Sequence, residues 1–416
     1  MTFRITIKHL ALVGAALTIA SVHAQPFDNR FIPWIPRHFV FNPCRPSHVA
    51  VDFIAATALL AIGNDETEVP LPAIDGILNQ ASWGRSFTEI GLTNPLLVDF
   101  ANYDNLIWNI EGKLQAHGFA FYYEQSLTDW LSLGIDMSYM KVRGTQDYFL
   151  AKNQEGILVT PAQIRELDSI RRSMTQSLGL CCYYSQQNGL NDLDLYFKAK
   201  GRWCYVAKMR TIDTTVRVGI WLPNGERRLL DEPPSIPFGG DGLWGMYGRM
   251  LFNFEIKEDM WLGVEIGISQ RSAAKRVERV PLGTEPRFLG VIKDDFFVEP
   301  GITAFVSPSF VLENLRGGLG AGIAYTITYH ERDRWCDARA LFKQDQMTPN
   351  LETVVRRAGW ASEYLTVNVF YDFARDRADF SWMPVAQLSA DIPMNLLVAH
   401  WVPKLYKVNV GVEISF

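Results

Sequence analysis

Apolar and polar residues alternate with period two along much of this chain. In the final segment, LYKVNVGVEISF, Tyr406, Val408, Val410, Val412, Ile414 and Phe416 alternate with Lys407, Asn409, Gly411, Glu413 and Ser415. Period two places the two sets on opposite faces of a β-strand. The same dyad recurs in residues 361–374, where Leu365, Val367, Val369 and Tyr371 oppose Tyr364, Thr366, Asn368 and Asp372. It recurs again in 191–206, with Leu193, Leu195, Phe197, Ala199 and Trp203 against Asp192, Asp194, Lys198, Lys200 and Arg202. Twelve strands are predicted, near residues 47–58, 106–124, 129–143, 191–206, 210–222, 243–256, 259–270, 295–307, 318–330, 361–374, 379–390 and 404–416. Long and short connections alternate between them, the pattern of an up-and-down barrel with both termini on its short-turn side.

Alternation alone is shared with soluble sandwiches. The strands here are long, aromatics crowd their ends, and the chain stops on Phe416. That ending resembles the C-terminal signature of Gram-negative outer-membrane barrels, in which a final aromatic closes an alternating strand. The resemblance implies an all-β, closed up-and-down transmembrane β-barrel of about twelve antiparallel strands in the bacterial outer membrane. Phe416, Ile414 and Val412 would then form the signal read by the barrel-assembly machinery, and the apolar set would face outer-membrane lipid. The physical reason for closure is that lipid offers no hydrogen bonds, so a sheet crosses only when every backbone group is paired within it.

The first 24 residues read as a cleavable export signal: Arg4 and Lys8 precede the apolar run LALVGAALTIASV, and Val22-His23-Ala24 offers a cleavage site. Residues 25–46 are rich in proline and aromatics, which suits a periplasmic arm or a plug segment inside the lumen rather than a strand. The barrel would span 47–416, with long outer loops at 59–105, 144–190, 223–242, 271–294 and 331–360. One loop contains a predicted helix at 160–178: Thr160 is its N-cap, Pro161 its first residue, Gln163 completes a capping box and Gly179 stops it. It either gates the pore or caps the rim.

Composition narrows function by exclusion. Hydrophobic residues are 48% and charged residues 20%, which excludes intrinsic disorder. A formal charge of -5 without a basic run gives no nucleic-acid surface. The five cysteines, Cys44, Cys181, Cys182, Cys204 and Cys336, form no CxxC pair. They read as structural or free, with a bridge from Cys181 or Cys182 to Cys336 the weaker alternative. HExxH spacing is also absent, so neither metal nor cofactor is expected. Gly239-Gly240 lacks the Lys-Ser or Lys-Thr of a phosphate cradle.

The polar set supplies the candidate site. A turn near residue 208 brings Arg217 beside Lys198 and Lys200, with Arg202 one step lower, all facing the lumen. These cations either raise the local anion concentration or are neutralised by Asp192, Asp194 and neighbouring acids. The same turn arithmetic places His117 opposite Asp136 and Arg249 opposite Glu265. His330, Glu331 and Asp333 form the cluster nearest to a hydrolytic site.

The hairpin NDLDLYFKAKGRW followed by TVRVGIWLPNGE is similar to one in porin-like proteins associated with aromatic-compound degradation, and more distantly in the fatty-acid transporter class of barrels. Asn191-Asp192-Leu193 and Leu222-Pro223-Asn224-Gly225 depart from that pattern at both ends. The expected function is a channel or facilitator for passive passage of small solutes. The alternatives are a structural or adhesive surface barrel with a blocked lumen and an outer-membrane hydrolase.

Overall fold

The computed structural model describes residues 29–33, 35–36, 47–92, 106–150, 160–181, 183–205, 209–375 and 383–416. The expected export signal lies outside them, as do residues 25–28, 34 and 37–46, with Cys44 and Cys182.

Twelve antiparallel strands form the barrel. In chain order they are β1 (His48–Ala58), β2 (Ile107–Ser126), β3 (Leu131–Leu150), β4 (Leu193–Cys204), β5 (Thr211–Leu222) and β6 (Gly245–Lys257). The second half comprises β7 (Met260–Arg271), β8 (Thr303–Arg316), β9 (Leu319–His330), β10 (Trp360–Asp372), β11 (Met383–Met394) and β12 (Tyr406–Ser415). Each strand pairs with its neighbours in sequence, and β1 pairs with both β2 and β12, which closes the ring. In β12, Val408, Val410 and Val412 are exposed on the outer wall, while Lys407, Gly411 and Glu413 are buried inside.

One strand is corrected by the structure. The segment predicted as 295–307 is divided at Pro300-Gly301: Ile292–Glu299 leaves the barrel, and β8 begins at Thr303. Proline cannot donate to a ladder, so the break falls where the sequence places it. The connection from β8 to β9 then shrinks to Gly317-Gly318, with φ of +53° and +91° that glycine alone adopts without strain.

β2 and β3 are 20 residues each, about twice the length that crosses a bilayer. Their outer face changes character partway along. Phe119 pairs with Tyr139 on the apolar belt, and the next outward pair is His117 with Lys141, followed by Gln115 with Arg143. The upper half therefore stands above the lipid, where residues 184–190 extend the wall by pairing with β3.

The outer loops pack into a cap. Ala274–Val280, Ile292–Glu299 and Arg334–Asp337 make a three-stranded sheet beside helices α1 (Gln80–Glu89), α2 (Pro161–Ser177) and α3 (Leu351–Ala358). Trp83, Phe87, Leu167, Ile170, Met174, Phe288, Phe296 and Val354 share the cap's apolar core. Each fully buried Leu, Ile or Phe there contributes about 1.5 to 3 kcal/mol. The Thr160/Gln163 capping box forms as predicted. Leu167, Ile170 and Met174 face the cap core and Ile164 is exposed.

A second apolar cluster fills part of the lumen. Ala50, Ile54, Leu114, Ala116, Ala120, Tyr122, Met140 and Val142 point inward from β1 to β3, and they meet Ile32 of the N-terminal segment and Ile236 and Phe238 of the 223–242 loop. The described part of residues 25–46 is thus inside the barrel.

Candidate functional site

Lys198 pairs directly with Arg217 across β4 and β5, as the turn arithmetic expects. Both face the lumen, and each is matched to an acid. The Lys198 and Lys200 ammonium groups lie 2.9 and 2.7 Å from the buried Glu124 carboxylate. Arg202 makes a two-point pair with Asp213, both contacts 2.6 Å. Arg217 Nη2 donates to Asp136 and Asp194 at 2.5 Å each, and its Nε donates to the Tyr247 hydroxyl at 2.6 Å. These distances give the neutralised wall, with buried pairs that hold one another in register.

Two of the predicted pairings change. His117 lies opposite Lys141, and Asp136 opposite Tyr122. The β2–β3 turn is centred later than the sequence count places it, by an odd number of residues in the pairing sum. A slip of that parity turns a side chain to the other face, so His117 is exposed on the outside of the upper wall while Asp136 is buried in the lumen. Arg249 lies opposite Gly267, and Glu265 opposite Leu251. The slip there is even, so both remain on the lumen face, one diagonal step apart. Arg249 also lies directly across from Arg217.

The inner wall of β4 to β7 carries a column that the sequence did not single out. Arg249 stacks over the Tyr247 ring at 4.3 Å, Tyr247 stacks on Trp221 at 5.0 Å, and Arg271 lies over Trp221 at 4.4 Å. Arg217 sits 3.4 Å above the Tyr196 ring in the same cluster. Guanidinium groups stack on aromatic faces because they are planar, weakly hydrated cations. Inward aromatics at Tyr196, Trp221 and Tyr247 would be visible in the sequence only with the strand faces fixed beforehand.

At the top of this column, Asp192 organises the mouth. Its carboxylate accepts from Arg271 Nη1 at 2.5 Å, from Gly240 N at 2.8 Å and from Gly225 N at 3.2 Å. The Gly239-Gly240 loop is therefore an anion cradle for the chain's own carboxylate. Asn29 Nδ2 donates to the carbonyls of Pro237 and Gly239, which fastens the N-terminal segment to the same loop.

Three cavities are walled in part by Arg357 or by the N-terminal segment. The first, about 550 Å³, lies between residues 63–79, the top of β2, Thr284 and Arg357. The second, about 160 Å³, shares Arg357 and is walled by Asn29, Arg30, Arg228, Arg271, Arg276 and Arg287, among others. The third, about 50 Å³, lies in the lumen beneath Ile35 and Pro36 and is lined by Asp52, Asn368, Asp391, Lys407 and Asn409. In the second cavity Asp75 is deeply buried, which raises its pKa, but Arg30, Arg228 and Arg287 together hold it below the ordinary 3.8. Burial pushes the Arg228 guanidinium down.

The His330 cluster also belongs to this wall. Its ring is braced by Thr303 Oγ1 at 2.8 Å and Asp333 Oδ1 at 3.1 Å and stacks on Trp360 at 5.4 Å. No group of three or more His, Cys, Asp or Glu residues that could hold a metal occurs among the described residues. Cys204 and Cys336 carry free thiols, so the bridge to Cys336 does not form.

A closed ring of antiparallel strands, apolar outside and polar within, meets the requirement for crossing a lipid bilayer. The protein is a closed, twelve-stranded antiparallel β-barrel. Similar solved structures include an outer membrane channel from Pseudomonas putida F1, at 11% identity and a TM-score of 0.48, covering 94% of this chain and 99% of that one. Another is the β domain of the Bordetella autotransporter BrkA, at 9% identity and a TM-score of 0.32, covering 89% and 99%. A third is the Pseudomonas putida toluene transporter TodX, at 10% identity and a TM-score of 0.28, covering 89% and 88%. No protein family and no curated protein matches the chain.

Proposed function

We propose that this barrel is a channel or facilitator for passive passage of small solutes, with residues 29–33 and 35–36 at its constriction. The observation that carries this reading is the series of cavities. Arg357 walls both the 550 and the 160 Å³ spaces. The N-terminal segment walls the next step, with Asn29, Arg30 and Phe31 above and Ile35 and Pro36 below. A solute entering beside the cap would pass the Arg357 side chain, then the plug, then the polar lumen. The segment is held by discrete polar ties, Arg30 to Asp75 and Asn29 to the 223–242 loop, which a small rearrangement can release.

A second reading, a surface barrel with a blocked lumen whose outer cap is the working part, draws on the same plug and on the cap's apolar core. Conductance in planar bilayers separates the two. The full chain should give small discrete steps, and a chain lacking residues 29–36 should give steps several-fold larger. Silence from both, with normal heat-modifiable gel mobility, would favour the blocked barrel.

A further inference from the structure

The 160 Å³ cavity is unusually rich in guanidinium groups. Arg30, Arg228, Arg271, Arg276, Arg287 and Arg357 all wall it. Their partners are fewer. Arg30 and Arg228 share Asp75, Arg276 and Arg287 share Glu278, Arg276 also reaches Asp241, and Arg271 holds Asp192. Arg357 donates to the backbone carbonyl of Asp75 instead. Six guanidiniums therefore meet four carboxylates in these pairs, and Asp333, which also walls the cavity, faces His330. Burying cations in such excess is costly unless a further anion joins them.

Arg271 shows where that anion fits. Its side chain is 6% exposed, and its Nη1 is occupied by Asp192 and by the Leu243 carbonyl, 2.5 and 2.8 Å away. Its Nε and Nη2, both buried, meet no acceptor among the described residues. Those two nitrogens form the side-on fork of a guanidinium, whose parallel N–H bonds match the two oxygens of a carboxylate. The plane is fixed, since Trp221 lies 4.4 Å from the guanidinium on one side and Gly240 packs so closely that a Cβ there would fall 2.2 Å from Nη1. Arg287 Nε, on the same cavity, is likewise buried without an acceptor.

We propose that this cavity is a binding site for a small organic carboxylate, held by the Nε/Nη2 fork of Arg271 with Arg287 as a second donor. The space of about 160 Å³ suits an anion of a few carbon atoms, since a single water takes about 30 Å³ in the liquid. The proposal deepens the channel reading by naming a solute class, and it rests on that reading only for the ligand's being in transit.

Isothermal titration of the full-length, detergent-solubilised barrel with succinate tests it, with succinamide as the neutral analogue of the same shape. Succinate should bind saturably and succinamide at least tenfold more weakly. Arg271→Lys keeps the charge and removes the fork, so it should lose at least tenfold in succinate affinity, as should Gly240→Ala, which displaces Arg271 without changing any charge. Arg287→Lys serves if either fails to give the heat-modifiable folded form, and it should weaken binding by a smaller factor. Absence of saturable succinate binding, equal binding of succinamide, or unchanged affinity in a folded Arg271→Lys variant each overturns the site. Inorganic phosphate that binds as tightly as succinate overturns the carboxylate assignment. Binding without conductance keeps the site and removes the channel; conductance without binding does the reverse.

Discussion

Asp192 and Arg271 meet at 2.5 Å where the mouth of the barrel narrows, joining the start of β4 to the top of β7. Both are buried, and Asp192 also gathers the Gly225 and Gly240 amides of the inward-folded loop. Removing one partner of a buried pair leaves the other uncompensated and costs about 3 to 5 kcal/mol. Asp192→Ala should therefore lower the melting temperature of the barrel and expose residues 223–242 to added protease. A variant with native melting and an uncut loop would show that the pair does not hold the mouth.

The two faces of β10 give a sharper test of membrane placement. Val367 is 42% exposed on the outer wall, while its neighbour Asn368 is 7% exposed inside. Arginine on the lipid face near mid-membrane costs about 2 to 4 kcal/mol, and far less where water or polar groups are near. Val367→Arg should reduce folding efficiency into vesicles and Asn368→Arg should largely preserve it. Equal yields would place this strand outside a bilayer.

How much of this was legible in the sequence follows from which signals are local. The faces of β10 and β12 could be read because period two is a property of adjacent residues and one face of each strand meets lipid. The Lys198–Arg217 pairing was legible for the same reason, the turn between β4 and β5 being short. His117 was misplaced because pairing register depends on where a turn is centred, and an odd error moves a side chain through the wall. The strand predicted at 295–307 was displaced because the apolar run before Pro300 suits a cap sheet as well as a barrel. The arginine cavity could not be read at all. Arg30, Arg228, Arg276, Arg287 and Arg357 come from separate segments, and only tertiary packing of the cap brings them together.

The last residue tests assembly. Phe416 is exposed on the outer wall, and its backbone amide donates to the Ser47 carbonyl at 2.9 Å, across the seam where the barrel closes. Deleting Phe416 removes an apolar lipid contact and a closing hydrogen bond together with the expected recognition signal. The heat-modifiable species in the membrane fraction should fall. Normal yield and mobility would remove Phe416 from the assembly signal.

Acid should loosen the plug. Burial alone would raise the Asp75 pKa, but Arg30, Arg228 and Arg287 outweigh it and hold the group below 3.8. A depressed carboxylate contributes stability that is present above its unfolded pKa and is lost as pH falls through the folded value. The Arg30–Asp75 tie should thus persist from neutrality down to about pH 4 and fail only in stronger acid. Asp75→Asn should release residues 29–36 at neutral pH, raising conductance and protease cleavage within the segment. Conductance that climbs between pH 7 and 5 would contradict this ordering.

If the barrel conducts, its ion selectivity should turn on Glu124, which pairs with two lysines at once. Its carboxylate lies 2.9 Å from Lys198 and 2.7 Å from Lys200, with His48 at 4.0 Å, on the short-turn side of the lumen. Four cations on this quadrant would favour anions if they stood alone, but Glu124, Asp136, Asp194 and Asp213 balance them. Glu124→Gln removes one negative charge while leaving both lysines in place, so the reversal potential of the conducting channel should move toward anions. Lys198→Gln with Lys200→Gln leaves Glu124 behind and should move it toward cations. Both shifts should grow as salt is lowered, since at 0.1 M the screening length is about 10 Å, comparable with the lumen itself. Breaking a buried pair also destabilises, so the comparison is made on the heat-modifiable fraction of each variant. A reversal potential that stays fixed in both conducting variants would place the Glu124 cluster outside the ion path and leave it the structural role of holding β2 against β4 across the inner wall.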